Sequence, residues 1–464
     1  MPVQSYTDTI AAIATPLGNG GIGILRISGP ESGEILRRVF RGGSDPLSQP
    51  RRLILGDVQD ARGNVLDRCL GVWMPGPHSY TGEDVAELQC HGGLRLLRLL
   101  LDALLEAGAR LAEPGEFTLR AFLNGRMDLS QAEAVLDLIQ AKTPTGAQLA
   151  TAQLRGALSQ PLSELEEGLT RLRAGMTVAA DFPEDADAPP EDQVLADLDF
   201  LLNEIERLLE NAAQGQLYRE GIRVVLAGAA NAGKSSLLNR LLAQDRAIVT
   251  EQAGTTRDVI SESIDLGGLP VLLTDTAGLR EQEDLDQAEQ IGIARSRTAI
   301  SQAQLLLLVV DSQSPGEELP ELLRQTEGQP RLLLLNKIDA ASPARLEETA
   351  RLCGELAPDT RQIPLSAASG EGLPELRAAI LEAVSLSADQ EQASPLVING
   401  RHSQELRLAR ENLLAAEATI RSGLPLDLAG VDLEEAAWHL GQISGSQAGD
   451  GLLDAIFSRF CLGK

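Results

Sequence analysis

The chain has 464 residues, a net charge of −27, 43% hydrophobic side chains and only 3% aromatic ones. Its length allows about three domains of roughly 150 residues each, and few aromatics beside abundant Leu and Ala favour helices over an all-β fold. No run of 18 apolar residues offers a membrane span, and so acidic a chain cannot hold nucleic acid by a general basic field, because phosphate neutralisation needs clustered Lys and Arg.

The first residues, "MPVQSYTDTIAAIATP", have neither a basic segment nor a continuous apolar core, which argues against a secretion signal. Residues 1–123 mix short apolar runs with Gly and Pro, as in "GIGILRISGP", "RLILGDV" and "CLGVWMPGP", the pattern of strands and turns. Within them "GGLRLLRLLLDALLEAGAR" (92–110) has helical spacing and a glycine stop, so an α+β domain is predicted. Residues 124–220 carry long helical periodicities around an acidic, Pro-rich connector, "PEDADAPPED" (183–192), and hold 7 basic against 18 acidic groups. Residues 221–383 alternate apolar strands with helical segments, a parallel α/β pattern. Residues 384–464 return to helical periodicity. Each helical stretch is amphipathic and needs a partner. The expected architecture is therefore multidomain: an N-terminal α+β domain, a discontinuous helical domain, and an α/β domain inserted into it. Cys69, Cys90, Cys353 and Cys461 are widely spaced with no CxxC, which argues against a zinc site or a disulfide framework and for a reduced, cytoplasmic setting.

The inserted domain carries the clearest chemistry. A strand-like "IRVVLAG" runs into "GAANAGKSSLLNRLL", where Gly228, Gly233, Lys234 and Ser235 fit GxxxxGK[ST]. Glycines let backbone N–H groups wrap phosphates, the lysine reaches the β/γ oxygens, and the serine hydroxyl ligates magnesium. Four signals follow in order. "AGTTRD" (253–258) offers Thr256 as a second magnesium hydroxyl; "LPVLLTDTAGLR" (269–280) ends a strand in DTAG, where Asp275 can hold magnesium through water and the Gly278 N–H can meet the γ-phosphate. "RLLLLNKID" (331–339) ends in NKxD, where Asp339 can accept from a guanine N1–H and amino group while Asn336 and Lys337 brace the base; "IPLSAASGEG" (363–372) supplies Ser366 and Ala367 for the guanine oxygen. Together these read as a Ras-like P-loop α/β domain binding GTP.

The residue after DxxG, where Ras-like proteins place a water-orienting glutamine, is Leu279, which cannot do that. Other groups must handle the water and the γ-phosphate charge. Asn231 can ligate a monovalent cation or simply face solvent. The acidic run "REQEDLDQAEQIG" (280–292) can supply a water-binding carboxylate or be a solvated segment.

With both flanks, these residues resemble the MnmE (TrmE) family of tRNA-modification GTPases. The resemblance covers nearly the whole chain: "DTIAAIATPLGNGGIGILRISG", "SYTGEDVAELQCHGG" (79–93), "EPGEFTLRAFLNGRMDLSQAEAVLDLI" (113–139), the nucleotide motifs, "GQISG" (441–445) and the final "FCLGK". It implies a GTP site built from Asn231, Ala232, Gly233, Lys234, Ser235 and Ser236, from Thr250, Gln252, Ala253, Gly254, Thr255 and Thr256, from Asp275, Thr276, Ala277 and Gly278, and from Asn336, Lys337, Asp339, Ser366, Ala367 and Ala368. Magnesium falls to Ser235 and Thr256. Potassium, held by Asn231, Thr250, Gln252 and Thr255, activates hydrolysis as the G domains of two subunits meet. Glu289 orients the water, and Lys234 and Cys461 complete the implied catalytic set.

The same resemblance implies a homodimer whose N-terminal domain binds 5-formyl- or 5,10-methylene-tetrahydrofolate as a one-carbon donor through Arg26, Glu87, Arg126 and Lys464. Arg26 and Glu87, taken without the family, read as ordinary surface charges. At 126 the family often has Lys; Arg keeps the charge with a different hydrogen-bond geometry. A flavin-dependent partner (MnmG, or GidA) joins in a heterotetramer and holds most of the tRNA. The joint product carries an aminomethyl or carboxymethylaminomethyl group at position 5 of the wobble uridine. One departure is Ala230, where the family P-loop usually has Pro. The alternatives are a ribosome-assembly GTPase, which would be expected to carry a basic RNA-binding module, and a GTP switch that only gates a partner.

The ending "RFCLGK" has the length of a C-a-a-X box, but Gly463 is not aliphatic and Lys464 is not a usual last residue. A disulfide at Cys461 is disfavoured by compartment, and a packing role is weakened by a tail that glycine is expected to let swing. Carrying Lys464 toward the folate pocket, that tail makes Cys461 a candidate nucleophile or proton donor, provided nearby positive charge lowers its pKa.

Overall fold

The computed structural model describes residues 8–181, 189–245, 261–275, 298–315, 319–384 and 398–464. They fall into two compact units, one from residues 1–136, 153–205 and 401–464, the other from 137–152 and 206–400.

The first unit begins with a seven-stranded sheet: β1 (Ile10–Ile13), β2 (Gly20–Ser28), β3 (Phe40–Gly42), β4 (Ile54–Gln59), β5 (Val65–Met74), β6 (Val85–Gly92) and β7 (Arg110–Leu111), in the order β3-β4-β5-β6-β2-β1-β7. All neighbours are antiparallel except β1 and β7. Two helices, α1 (Ser32–Val39) and α2 (Leu94–Glu106), cover it; α2 turns Leu97, Leu100 and Leu104 onto Leu25, Ile27 and Leu88. Cys69 and Cys90, 21 residues apart in sequence, come together on β5 and β6, where the Cys69 thiol, ahead of burial, pushes the Cys90 thiol far up. A short helix, α3 (Glu116–Leu123), carries Arg120, whose fully buried guanidinium bonds Asp8 at 2.8 Å and Glu116 at 2.9 Å.

Helical segments follow: α4 (Leu129–Gln140), α5 (Pro144–Leu154), α6 (Ser159–Asp181) and α7 (Glu191–Glu220). On α6 the buried positions are Leu162, Leu165, Leu169, Leu172 and Met176. This alternating three-and-four spacing is the seam of bundle packing. The first unit resumes with helices at 400–421, 426–444 and 450–457, and the second of these packs on α6. Its buried apolar side chains among the described residues, Ala429, Leu433, Ala436, Leu440 and Ile443, keep the same spacing, small and large alternating over the first four.

Glu133 on α4 binds two residues far along the chain. Arg401 donates to its carboxylate at 2.9 and 3.2 Å, and His402, fully buried, also pairs with it. Burial alone would raise the Glu133 carboxyl, but the charges of His402 and Arg401 outweigh it and hold the carboxyl far below the usual range. The stability this site contributes is therefore complete above the ordinary glutamate value of 4.5 and is lost as pH falls below it. We expect Glu133→Gln to cost about 3 kcal/mol at neutral pH, since it leaves the largely shielded Arg401 guanidinium facing an amide; urea unfolding measures it, and the difference should shrink in acid.

The second unit is built on a six-stranded sheet: β8 (Ile222–Ala227), β9 (Ser261–Leu266), β10 (Leu269–Asp275), β11 (Leu305–Asp311), β12 (Arg331–Asn336) and β13 (Gln362–Pro364). Its order is β13-β12-β11-β8-β10-β9, parallel except for the edge strand β9. Near-continuous apolar runs such as "LLLLVVD" make strands buried on both faces. Among the described residues, α8 (Lys234–Asp245), α9 (Leu319–Gln325), α10 (Pro343–Leu356) and α11 (Leu373–Ala383) accompany them, and the three helices already placed at the end of the chain are α12 (Gly400–Arg421), α13 (Leu426–Ser444) and α14 (Asp450–Phe457). The multidomain α+β and α/β class expected from the sequence is what the structure has. Among the described residues no helix is long and apolar enough to cross a membrane.

Candidate functional site

The parallel strands of the second unit end at one edge, where such sheets bind ligands. β8 delivers the chain to Gly228, where φ is 154° and a Cβ would lie 2.3 Å from the Val309 carbonyl oxygen, so only glycine fits. The loop then enters α8, whose first N–H groups have no partner within the helix and suit an anion. Asn231 is left-handed at φ 63° and exposed. Lys234 is buried, and its ammonium donates to the carbonyls of Gly228 (3.1 Å) and Ala229 (2.9 Å), across the mouth of its own loop. Ser235 Oγ donates to Asp275 Oδ2 at 2.8 Å. Two hard oxygen donors, reached from two separate motifs, thus adjoin, and they suit magnesium. Ser236 is exposed beside them.

Asn336 ties three motifs together. Almost wholly buried, it donates from Nδ2 to the Ala232 carbonyl at 2.8 Å and accepts at Oδ1 from the Ala367 N–H at 3.0 Å. Gly233 has no room for a side chain, since a Cβ would lie 2.2 Å from Asn336 Nδ2. Lys337, left-handed at φ 66°, donates to the Asn231 carbonyl at 2.8 Å. Asp339 is exposed at the rim. Ser366 is buried, its hydroxyl accepting from the Ser369 N–H at 3.0 Å, and Arg240 donates to the Ala368 carbonyl at 2.5 Å, closing the loop from α8.

In the first unit a second constellation forms. The β2–β6 register sets Arg26 opposite Glu87, and Arg26 Nε donates to Glu87 Oε1 at 2.8 Å, with both side chains largely buried. The guanidinium lies 5.4 Å from the Tyr80 ring centre and 5.8 Å from that of Phe117, within cation–π range. These two are not ordinary surface charges. The end of the chain joins them: the Phe117 N–H donates to the Lys464 carbonyl at 3.2 Å, and buried Gly463 sits at φ 88° with room for no Cβ, which would lie 2.2 Å from the Ile13 carbonyl oxygen. The expectation that glycine lets the tail swing is therefore corrected: Gly463 permits a close approach that docks it. Half-burial first, then the charge of Arg26, pushes the Lys464 ammonium below its usual range, while Cys461 and Glu87 act the other way. Cys461 is exposed, so it is not core filler.

Profiles of whole families match this chain twice: the MnmE helical domain over residues 129–461, and the N-terminus of the GTP-binding protein TrmE over residues 9–126. A tRNA modification GTPase MnmE of Symbiobacterium thermophilum is 47% identical, covering 98% of this chain and 99% of its own. That of Roseiflexus sp. is 45% identical, covering 99% and 100%. The chain belongs to the MnmE (TrmE) family. Among solved structures, the G domain of the T. maritima FeoB iron transporter is similar at 28% identity with a TM-score of 0.26, covering 35% of this chain and 98% of that one. Like the rest of its family, the chain is a P-loop GTP hydrolase.

Not every residue drawn from the MnmE resemblance is placed. Thr250, Gln252, Ala253, Gly254, Thr255, Thr256, Thr276, Ala277, Gly278, Leu279 and Glu289 lie outside the described residues. The P-loop set, Asp275, the 336–339 segment and the 366–368 loop come together at the sheet edge. Arg26, Glu87 and Lys464 also come together, with Cys461 near. Arg126 is exposed with its side chain against Gly82 and, among the described residues, makes no hydrogen bond or ion pair with those three. Sequence reasoning missed Tyr80 and Phe117, which stand within the quoted blocks "SYTGEDVAELQC" and "EPGEFTLRAF". It also missed Asp311 and Arg240, which no motif marks.

Proposed function

We propose that the protein is a potassium-activated GTPase acting in tRNA modification. With a flavin-dependent partner it modifies position 5 of the wobble uridine, using a folate one-carbon donor. The observation that supports this reading over a GTP switch is the docked tail, which carries Lys464 toward Arg26 and Glu87. Such a cluster suits a flat aromatic ligand bearing carboxylates: half-buried Tyr80 offers a ring, and Arg26 and Lys464 offer charge. A switch that only gates a partner needs no such constellation.

In the GTPase half, Ser235 and Thr256 would hold magnesium, with Asp275 reaching it through water, and the bound ion neutralises phosphate charge. Lys234 reaches the phosphates from inside its loop, and the α8 N-terminus adds N–H donors. With Leu279 unable to orient water, Glu289 is the proposed water-holding group, and Asn231 contributes to the potassium site with Thr250, Gln252 and Thr255. A homodimer brings two G domains face to face in this reading. The net charge of −27 leaves most of the tRNA grip to the partner.

Nucleoside analysis of tRNA tests the reading. A strain lacking the protein should lose the wobble-uridine modification, and the gene should restore it; an unchanged nucleoside profile would favour the gating alternative. Hydrolysis should also run at least tenfold faster in potassium than in sodium, because a potassium ion beside the phosphates would supply positive charge of the kind an arginine finger gives. Equal turnover in the two salts would remove potassium from the reading.

A further inference from the structure

Asp311 ends β11 and belongs to none of the nucleotide motifs. The β11–β12 register places it opposite Asn336, the first residue of NKID. Its carboxylate is held at both oxygens. The Gln313 N–H donates to Oδ1 at 2.9 Å, and the Lys337 ammonium donates to Oδ2 at 2.7 Å. The same ammonium reaches the Asn231 carbonyl at 2.8 Å. Among the described residues only Arg51, Asn231 and Lys337 combine a side chain with positive φ, and two of these three meet here. Left-handed backbone at such residues persists only where its surroundings hold it.

We propose that Asp311 is a positioning residue of the nucleotide site. By holding Lys337 against the Asn231 carbonyl, it locks the base-reading segment and the P-loop into one geometry. A lysine ammonium on a four-carbon stem is strongly hydrated and free to turn. Both partners here are partly shielded from solvent, and the charge-assisted bond at 2.7 Å removes that freedom. Without the carboxylate, the Lys337 ammonium keeps a single carbonyl that competes with water. The inference rests on reading residues 336–339 as the guanine-recognition segment.

The test is dissociation of N-methylanthraniloyl-GDP from the full-length protein in sodium buffer, so that potassium plays no part. Asp311→Asn should speed dissociation about tenfold. Lys337→Ala should speed it at least as much, and the double variant no further than Lys337→Ala alone, because the acid acts through the lysine. Additive losses, or a rate for Asp311→Asn within twofold of the parent, would overturn the proposal. A purely structural ion pair would instead lower the thermal midpoint and leave dissociation unmoved. If Asp311→Asn does not fold, Asp311→Glu carries the test: it keeps the charge but displaces it, and should give an intermediate rate, whereas a parental rate would count against positioning. Binding of the adenine analogue as tightly as the guanine one would defeat the guanine reading, while the 311–337 coupling would still report on the clamp.

Discussion

Asn336→Ala should weaken GTP binding at least a hundredfold. The side chain is almost wholly buried, and its two hydrogen bonds satisfy the Ala232 carbonyl and the Ala367 N–H. Truncation leaves both backbone groups unpartnered in the interior, at about 1–3 kcal/mol each. The loss falls on the two loops that must stay fixed around the nucleotide, so most of it appears as lost affinity; a hundredfold corresponds to about 2.7 kcal/mol. Titration calorimetry with GTP measures the change. An affinity within about fivefold of the parent would show that the loops hold without the asparagine.

Gly463→Ala should separate the two activities. The added methyl would sit 2.2 Å from the Ile13 carbonyl oxygen, on a backbone at φ 88° that alanine avoids. Neither strain can relax while the tail stays docked, because the obstacle is backbone of β1. The tail should leave its slot, taking Lys464 away from Arg26 and Glu87. Modified wobble uridine in a complemented strain should fall to the level of the strain without the gene, and tetrahydrofolate binding should weaken at least tenfold. GTP turnover should stay within twofold, since the change lies far outside the nucleotide motifs. Full modification by this variant would remove the tail from the second site.

The sequence made the nucleotide site legible because its motifs are local: each is a few residues at the end of a strand, and spacing alone sets the phosphate loop. The helical segments were legible for a similar reason, since a three-and-four spacing of leucines survives in any context. What was not legible depends on register. Asp311 matters because β11 pairs with β12 so that it faces Asn336, and no property of "LLLLVVD" announces that pairing. Cys69 and Cys90 meet because β5 lies beside β6. Gly463 was read as a hinge because glycine permits both looseness and close approach, and only the neighbouring Ile13 carbonyl decides between them.

The seam between α6 and α13 has a mechanical consequence. One side is a row of large side chains, Leu162, Leu165, Leu169, Leu172 and Met176; the other alternates Ala429, Leu433, Ala436 and Leu440. The arrangement works like a toothed rack. Sliding one helix along the other by a turn, about 5.4 Å, would drive Leu433 or Leu440 into places that fit an alanine, and such overpacking costs roughly 1–3 kcal/mol per tooth. Sliding of the two helices past each other is therefore opposed at each tooth of the seam.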